Sequence, residues 1–174
     1  MIENTLFKIS YWSTPVINFK NKKFQLQKLI KKFPEKRHGL QNFATNRQSN
    51  RSGFAEAFIN ICGEEIHMLS QILKKDIQIE NIWSVSYKSG EYHLPHNHGA
   101  TGLTGILYLE FDKTSPTTTY IQPWNHIEND TTLYYNMPVH EGLLTVVPKF
   151  VTHFTQPSKS KKIKRIISFD MKIL

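Results

Sequence analysis

Residues 82–111 read IWSVSYKSGEYHLPHNHGATGLTGILYLEF, and this stretch decides the fold class. Trp83, Val85 and Tyr87 alternate with smaller polar residues, the period-two pattern of a strand with one buried face. Gly90, Pro95, Gly99 and Gly102 then punctuate a turn-rich connection, and alternation resumes over residues 103–111. Upstream the period is different. Residues 24–33 place Leu26, Leu29, Ile30 and Phe33 on one helical stripe with lysines opposite, and Pro34 closes that helix. Over residues 55–75, Phe58, Ile61, Cys62, Leu69, Ile72 and Leu73 keep helical spacing, weakened slightly by Gly63. The period therefore switches from helix to strand near residue 75.

Downstream, a threonine-rich strand over residues 117–122 precedes a loop at 123–132. Strands at 134–138, 143–147 and 163–171 follow. Two helices followed by about six strands predict a mainly β protein, a sandwich or barrel under an N-terminal helical layer. Residues 38–53 are rich in Asn, Ser, Gln, Gly and Arg and read as an irregular connection. With no internal repeat or dividing linker, residues 1–174 are expected to form one domain. Residues 1–75 make its helical supporting region and 76–174 its β core.

Composition narrows the classes. At 174 residues, with 39% apolar and 21% charged side chains, the chain has globular composition. A chain of this length buries roughly 70% of its unfolded surface and needs no covalent stapling. Cys62 is the only cysteine, which excludes an intramolecular disulfide and a cysteine-based zinc site and fits a reducing compartment. Residues 1–10 have no signal-peptide apolar region, and residues 143–147 are far too short for a bilayer span. A cytoplasmic location is expected, without membrane attachment. The net charge is +8, and thirteen of the twenty-two basic residues fall within 20–37 and 159–165. Without an aromatic RNA-binding motif, zinc finger or helix-turn-helix pattern, these read as solvated faces rather than a nucleic-acid surface.

Three of the eight histidines, His93, His96 and His98, lie within six residues. In an extended chain residues i and i+2 share a face, so His96 and His98 can aim into one cavity while His93 has the other parity. Two imidazoles make half of a transition-metal site. His153, after an apolar strand and the Pro148 turn, is the best placed to complete it. His38, His67, His126 and His140 have no matching partners and read as structural.

On residues 83–90, His96, His98, residues 103–109, Glu141, Gly142, Pro148, His153, Pro157 and residues 165–169, the sequence resembles Fe(II)- and 2-oxoglutarate-dependent oxygenases of the prolyl-hydroxylase-like superfamily. The resemblance spans about residues 80–171 and implies a double-stranded β-helix (a jelly roll, cupin-like) with the metal at its open end. It implies His96 and His153 as iron ligands and Arg165 as the partner of the far carboxylate of 2-oxoglutarate, a planar group that a guanidinium clamps well. Strand parity with Ile167 and Phe169 places Arg165 in the barrel. Tyr87 and Tyr108 match aromatic positions lining the cosubstrate pocket. The common His-x-Asp/Glu pattern has its carboxylate where this chain has His98. Two arrangements follow: His98 is a third ligand, or the iron keeps two histidines and a water.

The implied function is an Fe(II)/2-oxoglutarate dioxygenase that hydroxylates an organic or peptide substrate with O2, releasing succinate and CO2. A cupin-type three-histidine metalloenzyme not using 2-oxoglutarate is the alternative. Gly90, His96, His98, Gly142, Pro148 and His153 fit much of the cupin motifs. The expected glutamate is missing, and Arg165 and Tyr87 have no role there. A module binding an anionic polymer through the lysine stretches is the third reading. Residues 124–136 are expected to contribute a substrate lid, and the lysines of 159–164 to fringe the pocket mouth.

Overall fold

A computed structural model describes residues 8–37, 42–47, 52–126 and 128–174. Helix α1 (Phe19–Lys32) starts five residues before the predicted stripe, because Lys20, Lys22 and Lys23 obscure its first turn. Asn18, in the left-handed conformation at φ 52°, turns the chain into it. Helix α2 (Ser52–Leu73) breaks at Cys62 (φ −119°, ψ 17°), beside Gly63.

The described residues also form ten strands: β1 (Trp12–Pro15), β2 (Ala44–Thr45), β3 (Ile77–Tyr87), β4 (His93–His96), β5 (Leu103–Glu110), β6 (Thr118–Asn125), β7 (Thr132–Asn136), β8 (Leu143–Pro148), β9 (His153–Thr155) and β10 (Lys164–Ile173). They form two antiparallel sheets, of order β1-β8-β5-β10-β3-β2 and β4-β9-β6-β7. From β3 to β10 the chain passes between the sheets so that each later strand pairs beside an earlier one. This winding is the double-stranded β-helix. β1, β2, β4 and β9 carry no periodic signal because each is only two to four residues long. The predicted loop at 123–132 is shorter than expected, since β6 continues to Asn125 and β7 begins at Thr132. The readings of residues 1–7, of His38 and of half of the connection at 38–53 lie outside the described residues.

The helices cover the outer face of the six-stranded sheet. Leu26, Leu29 and Ile30 of α1 and Phe54, Phe58, Cys62 and Leu69 of α2 share one core with Leu107, Leu109, Ile167 and Phe169. Burying each large apolar side chain of this kind contributes about 1.5–3 kcal/mol relative to exposure. β5 approaches closely enough that a Cβ at Gly105 would lie 2.2 Å from the Phe169 ring, so only glycine fits there. On the inner face, Trp83, Val85, Tyr87, Ile106, Tyr108 and Ile166 form a second core with Phe43.

Some residues of the basic stretches pair with acids: Lys22 with Glu65 at 2.9 Å, Lys23 with Glu141 at 2.6 Å, Lys162 with Asp112 at 2.9 Å, and Arg37 with Glu91. Among the described residues no helix is long and apolar enough to cross a membrane.

Candidate metal centre

β4 pairs with β9 so that His96 lies directly opposite His153. His98, two residues beyond β4, is held by its backbone N–H, which donates to the Lys149 carbonyl at 2.9 Å. The structure thus brings together the three histidines singled out by spacing, one ligand atom from each lying within 4.8 Å of the others. Each ring has its Nδ1 against an acceptor: the Leu94 carbonyl for His96 at 2.8 Å, the Val151 carbonyl for His153 at 3.0 Å, and Asp170 Oδ1 for His98 at 2.6 Å. Carbonyls and ionised carboxylates only accept, so each Nδ1 carries the hydrogen, which leaves Nε2 as the ligand atom of each neutral ring. Burial pushes the His153 imidazole down to about 3 and lowers His96 as well, keeping both neutral, the form that ligates a metal.

His93 is nearer than its parity implies. The pairing of β4 with β9 shifts register between His93 and His96, so simple alternation fails across Pro95. The His93 ring stacks on His96 with centroids 4.0 Å apart, and its Nδ1 lies 3.3 Å from the Tyr87 hydroxyl. Trp83 stacks on His98 with centroids 5.5 Å apart, and the Arg47 guanidinium covers the Trp83 ring at 4.4 Å. Neither Arg47 nor His93 has a sequence spacing that places it here.

Arg165 does not enter this cavity, which corrects the expectation drawn from parity. Arg165 does share a strand face with Ile167 and Phe169, but that face is turned toward the helices. Its Nε donates to Ser86 Oγ at 2.8 Å and its guanidinium pairs with Glu110 Oε2 at 2.8 Å, near Glu35. The inward face of β10 carries Lys164, Ile166, Ser168 and Asp170. Lys164 is 0% exposed. Its Nζ donates to the Pro116 carbonyl at 2.9 Å and lies 5.2 Å from the Tyr87 ring and 5.9 Å from the Tyr108 ring. Burial pushes its amine down to about 7. Among the described residues no carboxylate pairs with it. Sequence reading missed Lys164 by one position and one face.

The roomiest cavity adjoins the histidines rather than containing them. It is a groove of about 550 Å³ walled by Tyr11, Leu133, Tyr134 and Tyr135, with Tyr120 and Val151 at its floor. The Tyr120 ring is 5.6 Å from His153, and its hydroxyl is buried. Residues 132–136, expected within a lid, are instead strand β7 and form one wall.

The sequence matches the model of a 2OG-Fe(II) oxygenase family over residues 81–170, about half of the chain. The chain belongs to this family. Its cofactor is Fe(II) and its cosubstrate 2-oxoglutarate, and the cupin alternative without 2-oxoglutarate falls away. No curated protein sequence matches the chain. Among solved structures the oxygenase is similar to a viral collagen prolyl hydroxylase from Paramecium Bursaria Chlorella virus-1, captured with 2-oxoglutarate. The TM-score is 0.64 at 15% identity, over 94% of this chain and 96% of that one. It is also similar to HygX from Streptomyces hygroscopicus with nickel, 2-oxoglutarate and hygromycin B bound (TM-score 0.68, 7% identity, 94% of this chain and 83% of that one). A third similar structure is SnoK, a carbocyclase of nogalamycin biosynthesis (TM-score 0.67, 9% identity, 92% of this chain and 78% of that one). At these identities the likeness is one of fold. The oxygenase's own residues fit the family's groups: three clustered imidazoles suit a ferrous ion, and a buried amine without a carboxylate suits an anion.

Proposed function

We propose that this oxygenase hydroxylates an organic or peptide substrate lying in the aromatic groove, with His96, His98 and His153 as the metal ligands. The observation that carries the reading is the convergence of three imidazoles, one ligand atom from each within 4.8 Å of the others, in a fold that also buries a carboxylate-free Lys164. Bound there, Fe(II) and 2-oxoglutarate supply O2 activation, with 2-oxoglutarate leaving as succinate and CO2.

The chain does the rest. Hydrogen bonds at the three Nδ1 atoms hold the imidazoles in the orientation and tautomer that binding needs, so no proton has to leave them. Lys164 takes the role expected of Arg165, pairing with the far carboxylate of the cosubstrate. In a low-dielectric interior such a charge pair is strong because nothing else satisfies the amine's charge. The Tyr87 and Tyr108 rings wall that position, and the Tyr108 hydroxyl donates to Thr118 Oγ1 at 2.9 Å, which fixes its ring. Trp83, Val85 and Ile166 exclude water around the imidazoles. The groove wall of Tyr11 and Tyr135, whose hydroxyls are 3.2 Å apart, orients the substrate above Tyr120.

An anaerobic titration of metal-free protein with Fe(II) and then 2-oxoglutarate tests the site. A visible charge-transfer band is expected only with both present. It is expected to vanish in His153→Ala, to require far higher 2-oxoglutarate in Lys164→Met, and to persist in Arg165→Ala. A band that survives Lys164→Met and disappears in Arg165→Ala overturns the assignment. For the reaction, a product heavier by one oxygen atom from isotopically labelled O2 is expected from a substrate screen. A product that gains no oxygen overturns hydroxylation.

A further inference from the structure

The family pattern has a carboxylate at the position of His98, and the structure holds a carboxylate one residue-layer behind it. Asp170 Oδ1 meets His98 Nδ1 at 2.6 Å, and the two side chains are 6% and 3% exposed. Among the described residues His98 is the only ion-pair partner of Asp170. The other two imidazoles of the cluster rest on backbone carbonyls, which are neutral. The difference therefore falls on the one histidine that departs from the pattern. Thr104 Oγ1 lies 3.3 Å from the same Nδ1 and also 3.3 Å from the Phe169 carbonyl, which braces the pair from β5. Trp83 stacks on the ring, and a ligand atom of His98 lies within 4.8 Å of one each from His96 and His153.

An ion held by three neutral imidazoles keeps one more positive charge than one held by two imidazoles and a carboxylate. A carboxylate hydrogen-bonded to a ligating imidazole makes the imidazole a stronger donor and returns negative charge to the neighbourhood without occupying a coordination position. We infer that Asp170 is the carboxylate of this metal centre displaced one layer outward, a positioning residue that fixes His98 as a metal ligand and balances the charge its substitution for aspartate or glutamate leaves. The inference rests on the proposed metal site and says how the chain sustains a three-histidine version of it. It also decides between the two arrangements left open by sequence in favour of His98 as ligand.

A double-mutant comparison with Co(II) tests this, read by the metal's visible absorption and binding constant. Asp170→Asn is expected to weaken Co(II) binding by about 10- to 100-fold, the usual effect of losing such a partner. In a His98→Asp background the same change is expected to cost less than about threefold, because no imidazole remains to be positioned. Two-bond ¹H–¹⁵N spectra of the metal-free protein are expected to show the His98 hydrogen on Nδ1, and a mixed tautomer in Asp170→Asn, whose amide can also donate. Equal losses in both backgrounds, unchanged affinity in Asp170→Asn, or the hydrogen of His98 on Nε2 in the unaltered protein each overturn the inference while leaving the metal site standing. Failure of the unaltered protein to bind Co(II) or Fe(II) overturns the metal site and this inference with it. If Asp170→Asn does not fold, the tautomer in the unaltered protein decides alone.

Discussion

Lys164 holds an amine with no carboxylate in reach at a fully buried position, a state the fold tolerates at a cost in stability. Its folded pKa of about 7 lies below the usual lysine value of 10.5. Between those two values the unfolded chain binds a proton that the folded chain does not. Stability therefore rises with pH across that window, and the penalty is complete below it. Lys164→Met in the metal-free, ligand-free protein is expected to melt higher than the unaltered protein at pH 7, with the gap closing as pH approaches 10. Thermal melts across that range check the sign. The same substitution is expected to weaken 2-oxoglutarate binding by about 2–5 kcal/mol, the usual consequence of truncating one member of a buried charge pair. Stability and ligand affinity should thus move in opposite directions at one residue, as expected where a buried charge is kept for binding.

At the scale of elements, β10 is the strand on which helices and site depend together. Its outward face carries Ile167 and Phe169 into the helical core, where Phe58 of α2 packs 5.3 Å from the Phe169 ring. Its inward face carries Lys164 and Asp170 to the metal centre. Gly105 on β5 gives Phe169 its space. Gly105→Ala is expected to destabilise by at least about 2 kcal/mol, since the added methyl must displace a ring wedged against α2. The midpoint of urea unfolding checks this. Gly63→Ala is the control: its Cβ would meet Ile59 at an ordinary 3.6 Å, and a gain of about 0.5 kcal/mol is expected from helix propensity. Alternation foretold β3 and β5 because each is long enough to repeat its pattern. It could not foretell β4, whose Pro95 and shifted register bring His93 and His96 to the same stack.

For the molecule as a whole, the proposed metal centre joins the two sheets. His96 and His153 belong to the four-stranded sheet, while Asp170, Lys164 and Trp83 belong to the six-stranded one. A metal and cosubstrate held across that gap bind only the assembled sandwich, so they stabilise it by mass action. With Co(II) and 2-oxoglutarate each at about one hundred times its dissociation constant, each is expected to add about 2.7 kcal/mol. Together they should raise the melting temperature by about 10 °C or more for a chain of this size. Removing the metal with a chelator is expected to reverse the shift, and calorimetry checks both.

The amino-acid sequence by itself determined the helix-then-strand order and the three histidines of the cluster. Both depend on local repeats: the change of apolar period near residue 75, and the two-residue spacing that puts His96 and His98 on one side. Parity also correctly grouped Arg165 with Ile167 and Phe169. Only the tertiary structure decided which side of β10 faces the metal. Both faces of that strand are buried, one by helices and the other by the opposing sheet, so its apolar pattern is nearly continuous and points neither way. That ambiguity hid Lys164, and the 72-residue separation of His98 from Asp170 hid the carboxylate behind the third imidazole.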